Sequence, residues 1–334
     1  MASLHKKLFR GFLNNRKNEL KSINEVTTSP MVIIDATFQI GDYLSISPII
    51  EAVINKWPTA RIIVLCTTRN ADVVHNDERV ECFVLPPKEQ WYKYPKMLNK
   101  FQKKIDLLIE PASLDRAHRC IIGYTLKPKL TICLHQEAKC VLPTITEIDR
   151  ENISQAQVSA NMMLSYGFEK VDGTFKVYEN KITKVKTEQF LKSNHIKNYI
   201  VFNPFASSSE RSLSIEKSIG ILTKVKEGNI DSVLLLPSYI SNLNEWQDKL
   251  KNVCHVITVS SINESLTIIK NSNGVISVDT SIVHIASSYN KPTIGIYTHA
   301  GIKVINWMPQ SDKKHIVTID SPIDEIVNFD VIAN

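Results

Sequence analysis

Three features are missing from this sequence, and each absence narrows the range of functions. No apolar run approaches the roughly 20 residues that a membrane-spanning helix needs. No cysteines form C-x-x-C pairs, which predicts reduced thiols in the cytosol rather than a disulfide framework or a metal site. No G-x-G-x-x-G sequence follows a leading apolar strand, which disfavours a nicotinamide-dependent dehydrogenase. The six cysteines are Cys66, Cys82, Cys120, Cys133, Cys140 and Cys254.

The length and the order of apolar segments indicate two α/β domains. A chain of 334 residues exceeds what one hydrophobic core usually supports, so two domains of roughly 150 residues are expected. Short strands alternate with helical segments such as Leu44–Lys56 and Tyr92–Lys104, which predicts parallel, doubly wound sheets. The expected regions are an N-terminal arm (1–25), an N-terminal domain (26–172), a polar linker (173–186), a C-terminal domain (187–320) and a closing helix (321–334).

Positive charge is concentrated at the N-terminus. Residues 1–22 contain six lysines and arginines against one acid, Glu19, so they carry +5 of the total net charge of +6. Apolar residues line one side of a possible helix there, a pattern typical of helices that bind an anionic membrane surface. A solvated tail, or a helix packed on the body of the protein, fits equally well. Nucleic acid is a weaker candidate partner, because the rest of the chain is nearly neutral.

The most informative stretch is Gly274–Ala300, which has the pattern of a strand, a turn, a helix and a strand. Asp279, Thr280 and Ser281 stand where the first strand gives way to the helix, and all three are good N-cap residues. A helix that begins there points free N–H groups at the edge of the sheet, which suits a phosphate. Any capped βαβ unit would share this pattern, with His284 as an ordinary buried histidine.

Three segments together resemble glycosyltransferase family 9, the lipopolysaccharide heptosyltransferases. The sequence D-T-S-x-x-H followed by A-x-x-x-x-K-P-T, from Asp279 to Thr293, is similar to the family's donor-site segment. Met31–Arg61 is similar to its first strand, glycine–aspartate turn and following helix. Val201–Ile215 is similar to its N-P-G-A-S-x-x-x-K/R-x-W-P loop. The resemblance extends from about Met31 to about Ile305, which is most of the chain.

The resemblance implies a GT-B architecture, with two Rossmann-like doubly wound domains facing a central cleft. It also implies an inverting, metal-independent transferase without a cofactor. Such an enzyme moves a heptose, or a related sugar, from a nucleotide-diphosphate donor to a lipopolysaccharide or lipooligosaccharide core. The expected location is the cytoplasm, peripheral on the inner membrane, where residues 1–22 contact anionic lipid.

The resemblance assigns the role of catalytic base to Asp42. This residue follows Gly41 in the turn after the first strand, at the carboxyl edge of the sheet, where doubly wound domains bind ligands. One carboxylate is enough to take the proton of the acceptor hydroxyl, because a nucleotide diphosphate is already a good leaving group. Gly41 is expected beside the acceptor. The alternative is that Asp42 only caps the helix that follows, and both roles can hold together.

A serine-rich loop that ends in a cation is the first half of the expected donor site. Ser207, Ser208 and Ser209 suit a diphosphate, because hydroxyls and backbone N–H groups can hold its oxygens. Arg211 stands at the family's lysine or arginine position, where the cation stabilises the leaving diphosphate without a metal. The alternative is an exposed loop in which Arg211 forms an ordinary salt bridge.

The resemblance places the second half of the expected donor site at the helix start after Val278. The residues expected to hold the ribose and phosphates are Asp279, Thr280, Ser281 and His284. The nucleotide base is left open between an ADP-heptose and a UDP-linked hexose or N-acetylhexosamine. The family's adenine-binding members carry an acid about four positions after a Leu-Pro pair. Here that position, after Leu236–Pro237, is Ser241, and Glu245 is the nearest acid.

For the acceptor, a cationic loop is expected after the predicted strand Leu107–Glu110. Arg116, His118 and Arg119 stand there, where the family has a lysine-bearing loop. Cations in this place suit the carboxylates and phosphates of a core sugar. Loop charges more often only interact with solvent, so the acceptor assignment has that alternative.

The chain departs from the family at Leu213–Ser214, which replace the tryptophan–proline pair, and at Ala36, Phe38, Gln39, Phe205 and Ser281. Ala36 replaces a lysine or arginine at the end of the first strand, and Phe205 and Ser281 replace glycines. These departures support a third interpretation, a catalytically silent GT-B scaffold. The combined retention of Asp42 and the donor-site residues favours an active enzyme.

Overall fold

The computed structural model describes residues 11, 16–114, 116–135, 139–298 and 302–319, which fall into two compact units. The first unit contains the chain up to Arg150 together with Gln155–Thr174. The second contains Glu151–Ser154 and the chain from Phe175 onwards. The expected closing helix over 321–334, and residues 1–10 and 12–15 of the arm, lie outside the described residues.

The first unit is built on a five-stranded parallel sheet in the order β3-β2-β1-β4-β5. The chain runs outward from β1 to β3 and then returns to β4, on the other side of β1. The strand order therefore reverses between β1 and β4, and ligands bind at such switch points. The strands are β1 (Met31–Asp35), β2 (Arg61–Cys66), β3 (Glu81–Val84), β4 (Leu107–Ser113) and β5 (Leu130–His135).

The central strands of this sheet are apolar on both faces, since Val32, Ile33 and Ile34 are all fully buried. Helices must therefore cover both sides of the sheet. They are α1 (Ile40–Ser45), α2 (Ser47–Lys56), α3 (Ala71–Val74), α4 (Tyr94–Leu98), α5 (Ala117–Leu126) and α6 (Gln155–Ser165).

Two helices of the first unit are shorter than the sequence pattern predicts. The helix expected over Leu44–Lys56 is in fact α1 and α2, which meet at Ile46. Pro48 lies in the first turn of α2, the part of a helix where a residue without an N–H is tolerated. The helix expected over Tyr92–Lys104 is broken into α4 and two 3₁₀ turns, and Lys103 has a left-handed φ of 59° that ends it.

The second unit is built on a six-stranded parallel sheet in the order β11-β10-β9-β6-β7-β8. The chain runs outward from β6 to β8 and returns to β9, so this sheet has its switch point between β6 and β9. Its strands are β6 (Tyr199–Asn203), β7 (Asp231–Pro237), β8 (His255–Val259), β9 (Gly274–Val278), β10 (Thr293–Thr298) and β11 (Lys314–Ile319).

The helices of the second unit include one that the sequence pattern does not predict. They are α7 (Lys181–Ser193), α8 (Ile215–Glu227), α9 (Leu243–Leu250), α10 (Ile262–Lys270), α11 (Ser281–Ser288) and α12 (Ile302–Trp307). The helix α7 begins inside the stretch 173–186 that is predicted as a linker. Asn180 caps it by accepting from the N–H groups of Ile182 and Thr183. In α7 only Thr187 and Leu191 are buried. A helix with so little buried surface needs few apolar residues, so the sequence does not mark it clearly.

Part of the N-terminal arm packs on the first unit. Arg16 donates to the carbonyl oxygens of Gly123, at 3.0 Å, and Pro128. The N–H of Glu19 donates to the carbonyl of Lys129 at 2.8 Å. Arg16 therefore packs on the body of the protein, because its guanidinium donates to backbone carbonyls, and the membrane contact expected of residues 1–22 stays a prediction.

Within the residues that the structure covers, no helix is long and apolar enough to cross a membrane. The same residues contain no cluster of three or more histidine, cysteine, aspartate or glutamate side chains placed to bind a metal. All six cysteines are free thiols.

Candidate functional site

Asn203 connects the two loops at the switch point of the second sheet. Its Nδ2 lies 2.9 Å from Oγ of Ser277 and 3.1 Å from Oγ1 of Thr280. The same nitrogen lies 3.3 Å from the carbonyl oxygen of Phe205. Because Asn203 is buried, these contacts fix the end of β6 and its loop against the end of β9.

Arg211 is the centre of a polar cluster at this switch point. It ends a short 3₁₀ turn in the loop after β6. Its Nη1 lies 3.3 Å from Oδ2 of Asp279, its Nη2 donates to Oγ of Ser207, and its Nε lies 3.4 Å from Oγ of Ser208. The Arg211 and Asp279 side chains are 35% and 31% exposed, so a ligand can reach them. The structure thus brings the two predicted donor loops together.

Arg211 is also the only arginine after Arg150, in a stretch that otherwise uses lysine. A guanidinium presents five donors in a planar fork, which matches the oxygens of a carboxylate or a phosphate. Here the fork already holds one carboxylate and two hydroxyls. The predicted alternative, an Arg211 in a salt bridge, is therefore present in the structure, but the bridge joins the two loops of the expected site.

The end of β9 supplies a carboxylate and a helix start. Burial raises the pKa of Asp279 above its ordinary value, and the attraction and hydrogen bond of Arg211 work in the opposite direction. Thr280 caps α11, its Oγ1 lying 3.4 Å from the backbone nitrogen of Ile282. Ser281 is half-buried in the first turn of α11. The strand end therefore presents hydroxyl and carboxylate groups next to Arg211.

His284 lies inside the second unit. It is 2% exposed, and its ring packs against Phe175 at 4.8 Å and Trp307 at 5.2 Å between ring centroids. Burial lowers the pKa of His284 to about 4, so the imidazole is neutral at physiological pH. The expected contact of His284 with a diphosphate is corrected to a packing role at the base of α11, because a buried, neutral ring offers a phosphate no charge.

Phe205, which replaces a glycine of the family pattern, does not cover the serines of its loop. Phe205 is buried, and its ring meets that of Trp246 with centroids 4.7 Å apart. The side chain that replaces the family's glycine therefore packs into the hydrophobic core of the second unit. The neighbouring hydroxyls of Ser207, Ser208 and Ser209 remain exposed.

The structure does not identify a residue for the nucleotide base. Ser241 is exposed after β7, at the position where the family's adenine-binding members carry an acid. Glu245 pairs with Lys249 at 2.8 Å on the surface of α9 and also accepts from Asn242 at 3.2 Å. Glu245 is therefore engaged in surface contacts on its own helix.

In the first unit, Asp42 lies in α1, just after the end of β1. Its Oδ2 accepts from the N–H of Gln39 at 3.1 Å, so Asp42 caps its own helix as the alternative interpretation predicts. Among the described residues none donates to its Oδ1. Burial raises the pKa of Asp42 above its ordinary value, while the Gln39 hydrogen bond and the charge of Arg119 lower it. A half-buried carboxyl of this kind is a better base than an exposed one.

Arg119 has a different place from the one that the sequence predicts. The strand β4 continues to Ser113 and α5 begins at Ala117, so Arg119 lies in the first turn of a helix rather than in a loop. Its Nε lies 3.7 Å from Oε1 of Glu110 and 4.0 Å from Oδ2 of Asp35. Because Arg119 is buried against these two carboxyl groups, the expected acceptor contact is corrected to an internal ion pair.

The other two expected acceptor residues differ from each other. His118 is buried, and desolvation lowers its pKa to about 4, so it is neutral at physiological pH. Arg116 precedes α5 as its N-cap residue and is exposed. Of the three predicted acceptor cations, Arg116 is therefore the one that an acceptor can reach as a charge.

Sequence reasoning missed the residues that hold these sites from within. Asn203 precedes a proline at the end of a strand, but nothing in the sequence shows that it bonds to Ser277. Phe175 and Trp307, which enclose His284, are more than 100 positions apart. Asp35 and Glu110 each end an apolar strand segment. That shared position was the signal that could have predicted two carboxyl groups side by side.

Two parallel doubly wound units with polar sites at their switch points define a GT-B type of protein. A sequence model described as glycosyltransferase family 9 (heptosyltransferase) matches residues 119–325, more than half of the chain. The chain belongs to this family. The predictions of the family, of a GT-B architecture with two Rossmann-like domains and of a glycosyltransferase are confirmed, and the dehydrogenase interpretation is set aside.

Solved structures of the same fold include one that is named for this family and two that are named heptosyltransferases. A glycosyltransferase family 9 protein of Veillonella parvula is 13% identical over 88% of both chains, with a TM-score of 0.72. The Escherichia coli ADP-heptose LPS heptosyltransferase II is 12% identical over 90% of this chain and 96% of its own, with a TM-score of 0.69. Escherichia coli heptosyltransferase WaaC with ADP is 14% identical over 91% and 98%, with the same score. No curated protein sequence matches the chain.

Proposed function

We propose that this protein is an inverting, metal-independent glycosyltransferase that moves a heptose, or a related sugar, from a nucleotide-diphosphate donor to a lipopolysaccharide or lipooligosaccharide core. The observation that carries the proposal is the Arg211 cluster, in which a guanidinium, a carboxylate and two hydroxyls meet at one switch point. Such a set suits a diphosphate, because its negative charge grows as the sugar leaves.

The second unit binds the nucleotide diphosphate and stabilises it as it leaves. Arg211 and the exposed hydroxyls of Ser207 and Ser208 bind the diphosphate oxygens, and the guanidinium balances their charge in place of a metal ion. Asp279 and Thr280 hold the ribose and orient Arg211. Ser281 contributes a hydroxyl where the family pattern has a glycine.

The acceptor is activated in the first unit. Asp42 takes the proton of the acceptor hydroxyl. At the same time the hydroxyl oxygen forms a bond to the anomeric carbon of the donor sugar, and the bond from that carbon to the diphosphate breaks. Attack from the face opposite the leaving group inverts the anomeric configuration. The raised pKa of Asp42 supports this role, because a base is most effective when its pKa lies closer to the working pH. Arg116 binds an anionic group of the core.

ADP-heptose is the proposed donor, and UDP-linked hexoses and N-acetylhexosamines are the alternatives. Family membership and the Escherichia coli neighbour that is named an ADP-heptose LPS heptosyltransferase support a heptose. Ser241, which stands in place of an acid after Leu236–Pro237, supports the alternative. No cofactor is needed for either reaction.

A direct assay tests this proposal. Purified protein is incubated with a truncated core acceptor and ADP-heptose, UDP-glucose or UDP-N-acetylglucosamine, with a chelator or with magnesium. We expect transfer from ADP-heptose in the chelator, and a product whose anomeric configuration by NMR is opposite to that of the donor. Transfer from UDP-sugars alone would establish the alternative donor, and retention of configuration would exclude a single-base mechanism. Dependence on magnesium would remove the proposed role of Arg211.

The silent-scaffold alternative predicts no transfer from any donor. Thermal shift with ADP, UDP and NAD then shows whether the donor site is intact. A ligand at about 100 times its dissociation constant stabilises a protein by about 2.7 kcal/mol if it binds only the folded state. Stabilisation by ADP without any transfer, across all acceptors, would establish a scaffold that binds nucleotide.

We also propose that the arm draws the protein to the cytoplasmic face of the inner membrane. Residues 1–15 contain Lys6, Lys7 and Arg10 and no acid. At about 1 kcal/mol per basic residue, deleting them should weaken binding to anionic vesicles by about 100-fold at low salt. The truncated protein should keep its activity on a water-soluble acceptor. Zwitterionic vesicles serve as the control, and equal binding of both proteins to anionic vesicles would exclude the anchoring role.

A further inference from the structure

A buried guanidinium lies at the switch point of the first sheet. The side chain of Arg119 is 9% exposed, and those of its partners Asp35 and Glu110 are 0% and 2% exposed. Its Nη1 also lies 3.4 Å from the carbonyl oxygen of Ser113, at the end of β4. Arg119 therefore joins the ends of the two strands between which the strand order reverses.

The same guanidinium also supports the turn that leads to Asp42. Its Cζ lies 4.8 Å from the centre of the Phe38 ring, a cation–π contact. Phe38 belongs to the turn 36–39, in which Oδ1 of Asp35 accepts from the N–H of Thr37 at 2.9 Å. Arg119 thus contacts Asp35, which directly precedes this turn, and Phe38, which lies two residues before α1 starts.

The position of this cation matches a gap in the sequence. Ala36, which follows β1, is fully buried and uncharged, so the chain just after β1 brings no cation of its own to this turn. We propose that Arg119 is the positioning residue for Asp42: from α5 it supplies a positive charge beside the end of β1, and its contacts with Asp35 and Phe38 hold the turn 36–39. This inference rests on the proposed function, in which Asp42 is the base.

The charged groups around Arg119 come from several elements. Glu110 on β4 has a pKa raised well above its ordinary value, chiefly by burial and then by the charge of Asp35 on β1. On β5, burial raises the pKa of Cys133, so it remains a thiol. His118, beside Arg119 on α5, has a pKa of about 4 because of desolvation, opposed by Asp35 and assisted by Arg119, Arg116 and Lys88. Cys133 and His118 thus carry no charge at physiological pH.

For Asp42 the consequence has a definite sign. Burial raises its pKa, and Arg119 is the nearby cation that lowers it. Without Arg119 the pKa of Asp42 should therefore rise further, and a smaller fraction of the carboxyl is ionised at a given pH. The acid limb of the profile of kcat/KM against pH should then move to higher pH.

The test compares Arg119→Gln and Arg119→Lys with Arg61→Gln as a matched control. Arg61 also pairs with a carboxylate, Glu81 at 2.7 Å, but at the amino end of β2. Carboxyl ¹³C NMR, assigned with Asp42→Asn, follows the titration of Asp42, and kcat/KM is measured over the same pH range. We expect Arg119→Gln to move the titration midpoint of Asp42 and the acid limb of kcat/KM to higher pH. Arg61→Gln should move neither the midpoint nor the limb. Arg119→Lys should keep the limb near its wild-type position but lower kcat, because the ring contact is lost.

A rescue variant and two distinct failures make the outcome decisive. Adding Ala36→Lys to Arg119→Gln restores a cation at the strand end and should move the acid limb back. An unchanged titration of Asp42 in Arg119→Gln, with Asp42→Asn inactive, would overturn this inference alone. Full activity of Asp42→Asn would instead overturn the proposed function. Should Arg119→Gln fail to fold, Arg119→Lys decides: a wild-type kcat with a wild-type profile overturns the positioning role.

Discussion

Each of the two sheets has a guanidinium beside a carboxylate at its switch point, but the two pairs differ in burial. The side chains of Arg119, Asp35 and Glu110 are at most 9% exposed. Those of Arg211 and Asp279 are 35% and 31% exposed. Ligands cannot reach the buried group around Arg119, so its charge acts within the first unit. The half-exposed pair of Arg211 and Asp279 is open to a substrate. The comparison teaches that burial decides between a supporting and a binding role for the same pair of residue types.

The largest expected effect belongs to Asp42→Asn. Asparagine keeps an oxygen that can accept from the N–H of Gln39, so the helix cap survives while the base is lost. Turnover should fall by about 10²–10⁴-fold, with nucleotide binding unchanged, in a transfer assay at saturating acceptor. Glu81→Gln, an exposed carboxylate at the opposite edge of the same sheet, is the control. A variant with more than roughly a third of wild-type turnover would exclude Asp42 as the base.

The same substitution has a predicted effect on stability. Because burial raises the pKa of Asp42 above its ordinary value, ionisation of this carboxyl opposes folding at neutral pH. The stability that protonation contributes is present below the ordinary aspartate pKa and is lost as the pH rises through the raised value. Asp42→Asn should therefore be at least as stable as wild type at pH 7 by urea unfolding. Its advantage should shrink as the pH falls, and a large destabilisation at pH 7 would contradict this.

Arg211→Ala is expected to have the next largest effect. It removes the charge that balances the leaving diphosphate, so turnover should fall by about 10²–10³-fold and donor binding should weaken. Arg211→Lys should recover only part of this, since an ammonium cannot contact Asp279 and two serines as a planar fork. Lys249→Ala is the control, because Lys249 pairs with Glu216 and Glu245 on the surface of the same unit. Equal losses in both alanine variants would show that the effect is not specific to the site.

The smallest expected effect concerns His284 and appears in stability rather than turnover. Its pKa falls from an ordinary value near 6.5 to about 4, so the neutral ring stabilises the fold above pH 6.5. That contribution, about 3 kcal/mol at most, is lost as the pH falls from about 6.5 to about 4. His284→Leu should reduce this acid sensitivity in unfolding experiments at pH 7 and pH 4.5. His255→Leu, which replaces an exposed histidine, should leave the acid sensitivity unchanged. Equal acid sensitivity of the wild type and both variants would contradict the buried, neutral state of His284.

Much of the fold could be predicted from the sequence, because buried parallel strands leave a strong local signal. The strand, helix and strand expected within Gly274–Ala300 are found as β9, α11 and β10, since short apolar runs between polar loops have few alternatives. The beginning of α5 was missed. Ala117 follows Arg116, which offers no side-chain oxygen as a cap, so the residues before Arg119 read as loop.

The candidate site was predictable where function depends on residues adjacent in sequence, and not where it depends on long-range packing. Asp279 directly follows β9, Asp42 lies in the first turn of the helix after β1, and Arg211 lies in the loop after β6, which are places that the sequence marks. The burial of His284 depends on Phe175 and Trp307, which lie far away along the chain. The ion pair of Arg119 likewise depends on the order of strands in the sheet, which no local pattern encodes.

The contacts of Arg211 also have a consequence for the thermodynamics of ligand binding. A free arginine side chain loses about 2 kcal/mol of rotamer entropy when a ligand fixes it. Here Asp279, Ser207 and Ser208 already restrict the side chain before any nucleotide arrives. In calorimetry, the wild-type protein should therefore bind ADP with a smaller entropic penalty than a variant with alanines at both serines, even where the two affinities are similar.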